Sequence, residues 1–320
     1  PQQVCHRNIN LVGSATFLRC MAVGSGQVDL WDKENGMPIS AHKRFGSELA
    51  PGPGRYRLVA SGACPYCRRV LIARRLLGLT NALRVAWSYG RGEDGYWQLT
   101  DGSGLPGEDP VLHATSVAEV YASTPGYTPP PTIPALVELA SGEVVMDSSA
   151  DLLFDLATAW KPFHIASAPD LYPEPYRLAI DAWQRWLDEH VAAPQGKIIH
   201  ADGDTELVDA GVLTLFTAFD VIDTLLARAT GMEAAREDVM TFSEMPYLAA
   251  VTAVGQYLCG NKPTASDILL FTQIQSYEYS ARDELGSPSI SFWPALARWF
   301  RALENTRYWV GSEERAALGL

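Results

Sequence analysis

The sequence predicts an α/β half followed by an all-helical half, and three observations carry that expectation. Strand, turn, helix and strand patterns succeed one another from Arg55 to Trp87. A hairpin and a helix follow from Ala135 to Trp160, and no strand pattern persists beyond the proline-rich connection after them. At 320 residues the chain has room for two hydrophobic cores.

Residues 1 to 50 contain few periodic segments and many Gly, Ser and Asn, and read as an extension lying on the body. Arg55-Tyr-Arg-Leu-Val-Ala60 then reads as a strand, Ser61-Gly-Ala63 as a turn, and Pro65 to Leu77 as a helix stopped by Gly78. Leu83-Arg-Val-Ala-Trp87 is a second strand and completes a βαβ unit. After a glycine-rich connection, Ser116-x-x-Glu119 marks a capping box opening a short helix through Tyr121. Ala135 to Leu139 and Glu143 to Met146, joined at Ser141-Gly142, read as a hairpin, and Ala150 to Trp160 as a helix behind Asp147-Ser-Ser149. Lys161 to Pro175 reads as a linker because of its prolines. Helical patterns then cover Tyr176 to Val191, Thr205 to Ala229, Thr241 to Leu258, Ala265 to Arg282 and Trp293 to Leu303, with Thr264-x-x-Asp267 capping the fourth. The expected division is an extension at 1–50, an α/β domain at 51–162, a linker at 163–175 and a helical domain at 176–320.

Hydrophobic content of 47% with 19% charged residues is the balance of a soluble globular protein. A formal net charge of −12 disfavours nucleic acid and anionic membrane as partners, yet leaves room for an anionic ligand at a helix N-terminus. No apolar run approaches the ~18–20 residues of a membrane span, and the stretch from Ile9 to Gly24 is broken by Asn10 and Arg19. Five cysteines are too few for a disulfide framework and suit a reducing, cytoplasmic setting. Only Cys64 and Cys67 have chemical spacing. No second close pair exists, and His164, His190 and His200 are scattered, so no metal is expected.

The candidate chemistry is therefore Cys64-Pro-Tyr-Cys67, where a strand gives way to a helix. A sulfur at a helix start meets orphan N–H groups and the positive end of the dipole, which favour the thiolate. Pro65 suits the first helical position, and Cys67 lies one turn on, within reach of Cys64 as a resolving thiol. The plain alternative for Cys67 is a small buried apolar residue.

Cys-Pro-Tyr-Cys after a strand resembles the glutaredoxin motif, and a thioredoxin-like half before an all-helical half resembles the glutathione transferase arrangement. Several stretches are similar, more narrowly, to the Xi class, the glutathionyl-hydroquinone reductases: Pro53-Gly-Arg-Tyr-Arg-Leu58, Ala63-Cys-Pro65 with Arg69-Val-Leu-Ile72, Gly92-Glu-Asp-Gly95, Pro125-Gly-Tyr127, Thr132-Ile-Pro134, Asp170-Leu-Tyr-Pro173, and Tyr257-Leu-Cys-Gly260 with Thr264-x-x-Asp267. The resemblance implies that Cys64 is the catalytic cysteine, attacking the sulfur of a glutathionyl adduct. It implies that Pro134 is a cis-proline presenting the Ile133 backbone to the bound thiol. It also implies that Asp147-Ser148-Ser149 holds the γ-glutamyl end, with Ser149 as the carboxylate-binding hydroxyl and Ser148 where the family carries glutamate. Tyr96 falls where the family has a tryptophan packed on the thiol, with Trp97 adjacent. Tyr66 and Tyr277 are expected in the substrate pocket, and Tyr279 as the phenol that supplies a proton.

The expected function is a cysteine-dependent thiol reductase of the glutathione transferase type, acting on glutathionyl-(hydro)quinone adducts or mixed disulfides, with glutathione as co-substrate and a homodimer as the assembly. One alternative is a transferase using another low-molecular-weight thiol such as mycothiol, suggested by Ser148, by Pro129-Pro-Pro131 and by 20 arginines against 5 lysines. A third reading is a non-catalytic binding protein that keeps the fold.

Overall fold

Tyr56–Ala60 forms β1, buried along its whole length. A strand buried on both faces belongs at the middle of a covered sheet. The computed structural model, which describes residue 43 and residues 45–199, 201, 204–235, 248–282 and 285–320, puts it there. With β2 (Arg84–Arg91), β3 (Trp97–Leu99), β4 (Ala135–Glu138) and β5 (Val144–Met146), the sheet order is β3-β2-β1-β4-β5. β1 runs parallel to β2, with Leu58 opposite Val85, and antiparallel to β4, with Leu58 opposite Leu136. This is a thioredoxin-like sheet. β3 was not legible, because it is a three-residue strand inside the glycine-rich connection. That connection is anchored to the sheet by a buried ion pair, Arg57 Nη2 to Asp109 Oδ2 at 2.6 Å.

The parallel crossover from β1 to β2 is α1 (Pro65–Leu76). Gly78 ends it with φ +74°, and a side chain there would collide with Ile165. The short helix α2 (Val117–Ala122) is capped by Ser116, whose Oγ accepts from Glu119 N, while the Glu119 carboxylate takes the N–H and hydroxyl of Thr115 instead. Helix α3 (Ser149–Ala157) packs on α1.

Among the described residues, every element after α3 is helical. Helix α4 (Arg177–Leu187) runs through a π-helical turn at Asp188–Ala192 into α5 (Ala193–Ile199). Pro194 has no N–H for the α-type bond to residue 190, and the wider turn precedes it. Helix α6 (Thr205–Thr230) is, by length and composition, apolar enough to cross a bilayer, which corrects the expectation that no such run exists; two thirds of its most apolar window is buried within the protein. Of the helix expected over Thr241 to Leu258, residues 241–247 lie outside the described residues. α7 covers Leu248–Ala253 and stops before Gly255, whose Cα lies against the Gly260 backbone with no room for a side chain.

Helix α8 (Ala265–Ser276) is buried on every face and packs on α1 as well as on α4. Its start is held by Asp267, which accepts from the backbone N–H groups of Thr264 and Leu258 and from Trp299 Nε1. A second π-helical turn, Tyr277–Ala281, follows. Helix α9 (Pro294–Glu304) packs on α6, and α10 (Ser312–Leu318), which sequence patterning missed, closes the chain.

Candidate active site

Cys64 is the N-cap of α1, in extended conformation, and its side chain makes no capping bond. The sulfur is thus left to other partners. It lies 3.7 Å from the carbonyl oxygen of Ile133, whose peptide bond to Pro134 is cis; Pro129-Pro130 is cis as well. Cys64 is 7% exposed and Cys67 is fully buried; both are free thiols. The Cys67 thiol hydrogen-bonds to the Cys64 sulfur, and this, with the N–H groups of Cys67 and Tyr66 and the charge of Arg68, outweighs burial and lowers the Cys64 thiol to about 7. Burial pushes the Cys67 thiol up, and its bond to Cys64 pushes it further. The two sulfurs therefore have different roles: Cys64 ionises, and Cys67 keeps its proton and donates.

Around this pair, Arg69 links two of the residues singled out from the sequence, Tyr66 and Ser149, to Asp188 of the helical half. Its guanidinium lies 4.9 Å from the Tyr66 ring centroid, Nη1 donates to Ser149 Oγ at 3.4 Å, and Nη2 stands 3.8 Å from Asp188 Oδ1 on the π-helical turn after α4. Burial raises the Tyr66 phenol, so it stays protonated, and burial also raises the Asp188 carboxyl. Asp188 brings the helical half to the motif, and only its π-helical surroundings, unreadable in the sequence, put it there.

The Asp147-Ser148-Ser149 segment divides its work. Ser148 Oγ caps α3 by accepting from Asp151 N, Ser149 accepts from Arg69, and Asp147 Oδ2 accepts from the Tyr121 hydroxyl at 3.1 Å. Tyr121 also donates to the Thr132 carbonyl, which ties the segment before Pro134 to the segment before α3. No sequence signal singled out Tyr121 beyond its place in the α2 helix. Tyr96 lies in the β2–β3 turn, held through its N–H by Asp94, and Trp97 lies on β3 under the Arg91 guanidinium at 5.1 Å. Partial desolvation lowers the Arg91 guanidinium, and the charge of Cys64 opposes that shift.

Two tyrosines are placed otherwise than expected. Tyr277 is fully buried, its hydroxyl donates to the Pro288 carbonyl at 2.5 Å, and its ring packs edge-on against Phe219 and Trp293. It belongs to the helical core rather than to a pocket wall, directly continuing the fully buried α8. The Tyr279 hydroxyl donates to Glu304 Oε1 and accepts from Arg301 Nη1, each at 2.5 Å, and burial drives it to about 12. Its proton is committed to α9, not presented to the Cys64 turn. Trp183 and Trp186 pack edge to face in the helical core.

Beneath the motif, α10 abuts the turn: a side chain at Gly62 would run into the Glu313 carbonyl. Among the described residues no group of three His, Cys, Asp or Glu side chains converges as a metal site would need.

Residues 63–153 match the family described as glutathione S-transferase, N-terminal domain. The chain is 28% identical over 256 residues to a glutathionyl-hydroquinone reductase of Sphingobium chlorophenolicum, covering 77% of this chain and 70% of that protein. Its fold matches a glutathione transferase of Gordonia bronchialis with a TM-score of 0.67 at 29% identity, over 85% of this chain and 73% of the other. It also matches glutathione transferase Xi 1 of Trametes versicolor with a TM-score of 0.68 at 26% identity, over 87% of each chain.

Proposed function

We propose that this chain, whose residues 63–153 match the glutathione S-transferase N-terminal domain, is a thiol reductase that strips glutathione from aromatic adducts through Cys64. The observation that carries the reading is the Cys64 sulfur itself: ionised near neutral pH by Cys67 and set against the Ile133 carbonyl beside cis-Pro134. The similarity to a glutathionyl-hydroquinone reductase supports the class of adduct.

The Cys64 thiolate attacks the sulfur of the adduct. The new S–S bond forms as the aromatic C–S bond breaks, and the electron pair goes to the ring carbon, which takes a proton. Tyr66, kept protonated by burial and close enough for the Cys64 charge to oppose its ionisation, is the donor we assign. A second glutathione thiolate then attacks the mixed disulfide, which frees Cys64 and leaves oxidised glutathione. Cys67 offers an internal route: it loses its proton, attacks the Cys64 sulfur and expels glutathione, leaving a Cys64–Cys67 disulfide for an external thiol to reduce.

The thiol is read as glutathione. A specific observation keeps a non-peptide thiol as second reading: Ser148 is spent on capping α3, so the family's glutamate has no side-chain equivalent at that point. Turnover of a glutathionyl-hydroquinone adduct, followed chromatographically with glutathione or with mycothiol as reductant, tests both. Cys64→Ala should abolish turnover, and full activity in that variant would sink the proposal.

A further inference from the structure

Arg68 is the buried cation of the site. It follows Cys67 on α1, is 0% exposed, and turns its guanidinium under the Cys64 turn. Nη1 donates to the carbonyls of Gly62 at 3.1 Å and Ala63 at 3.2 Å; Nη2 donates across to α8, to the Thr272 carbonyl at 3.2 Å and Ser276 Oγ at 2.6 Å. All four acceptors are neutral, and a buried charge is costly unless an opposite charge balances it. The carboxylate that faces it from α10, Glu314, is already held by Arg75 Nη1 at 2.6 Å. The anion that remains is the Cys64 thiolate.

We propose that Arg68 is a positioning residue of the thiol chemistry, clamping the Gly62–Ala63 turn to α8 and serving as the buried counter-charge of the Cys64 thiolate. The inference rests on the reading of Cys64 as nucleophile. Arginine suits the task because its planar fork donates in two directions at once, toward the turn and toward the helical half, which the single ammonium of a lysine does not reproduce. Burial lowers the Arg68 guanidinium to about 10, so it stays charged at neutral pH. Cys67's hydrogen bond leads in holding the Cys64 thiol down, and the Arg68 charge acts in the same sense. The other groups facing the thiol are Tyr66 and Cys67 on α1 and Arg91 on β2, and Arg91 is solvent-exposed, where its field is screened. When Cys64 enters a mixed disulfide the thiolate charge disappears and Arg68 is left without its balance, which favours release of the bound thiol.

The test is the rate of Cys64 alkylation by iodoacetamide against pH, read by peptide mass spectrometry in the full-length wild type, Arg68→Met, Arg68→Lys and Arg91→Met, with folding checked by circular dichroism. In Arg68→Met the midpoint should rise by about one unit, which lowers the rate at pH 7 about five-fold. Arg68→Lys keeps the charge and should recover part of that loss, while Arg91→Met should move the midpoint less than Arg68→Met. A folded Arg68→Met with the wild-type midpoint overturns the proposal while leaving Cys64 as nucleophile intact. If Arg68→Met fails to fold, Arg68→Gln, which keeps hydrogen-bond donors and loses the charge, decides in the same assay: a wild-type midpoint overturns the proposal, and a raised midpoint supports it. A wild-type midpoint at the ordinary ~8.5 overturns the parent reading, and this inference with it.

Discussion

Replacing Cys67 separates the two roles proposed for its sulfur. Its thiol is the largest influence holding Cys64 low, and it is also placed to resolve a mixed disulfide. Cys67→Ala removes both. With Cys64 at about 7, roughly half is thiolate at pH 7. Returned to the ordinary ~8.5, about 3% is, so alkylation at pH 7 should slow about fifteen-fold. Cys67→Ser keeps a hydroxyl donor at the same place, so the midpoint should stay within about half a unit of wild type, but no internal disulfide can form. Single-turnover reaction with a glutathionyl adduct, quenched in acid and read by intact mass, should then show the Cys64–glutathione disulfide accumulating in Cys67→Ser and decaying in wild type. The fully buried position lets the sulfur be removed without exposing the site. If Cys67→Ala alkylates with the wild-type midpoint, the hydrogen bond is not what ionises Cys64. If the mixed disulfide decays equally fast in both proteins without added thiol, Cys67 is not the resolving group.

Two further outcomes follow from burial and close approach. Asp267, fully buried, is raised to about 6, chiefly by desolvation against its backbone and Trp299 donors. A carboxyl whose folded value is raised stabilises the fold fully below its unfolded value of about 4 and loses that contribution as pH rises through about 6. Urea titrations should therefore show wild-type stability falling by about 2 kcal/mol relative to Asp267→Asn between pH 4 and pH 7; parallel curves would contradict the shift. Gly62→Ala places a methyl against the Glu313 carbonyl and should cost about 1–3 kcal/mol in chemical denaturation. In a chain ending at Val310 the same substitution should cost little, and an equal cost there would place the strain elsewhere.

Local chemistry made part of this protein legible. The Cys64 N-cap, Pro65 in the first turn, the Gly78 stop and the Thr264–Asp267 cap are short-range arrangements, written in residues three or four apart, and they appear where the spacing puts them. The hairpin β4–β5 followed from the same kind of signal. What escaped were features without a period. β3 is too short to show alternation, α10 is one brief helix after a turn, and both π-helical turns arise where an otherwise regular helix pattern is interrupted.

By itself, then, the sequence determined the class of fold and the place of the sulfur to which the proposed chemistry is assigned, because a strand, a turn and a capped helix are decided by neighbours along the chain. Only the tertiary structure decided what surrounds that sulfur. It paired Tyr279 with Glu304 and Arg301, drew Tyr277 into the core, brought Asp188 from the helical half to Arg69, and sealed Arg68 between the Cys64 turn and Ser276, 208 residues away. Such contacts depend on how two separately patterned halves meet, and a buried arginine reads in the sequence as one more surface charge until its counter-charge is seen.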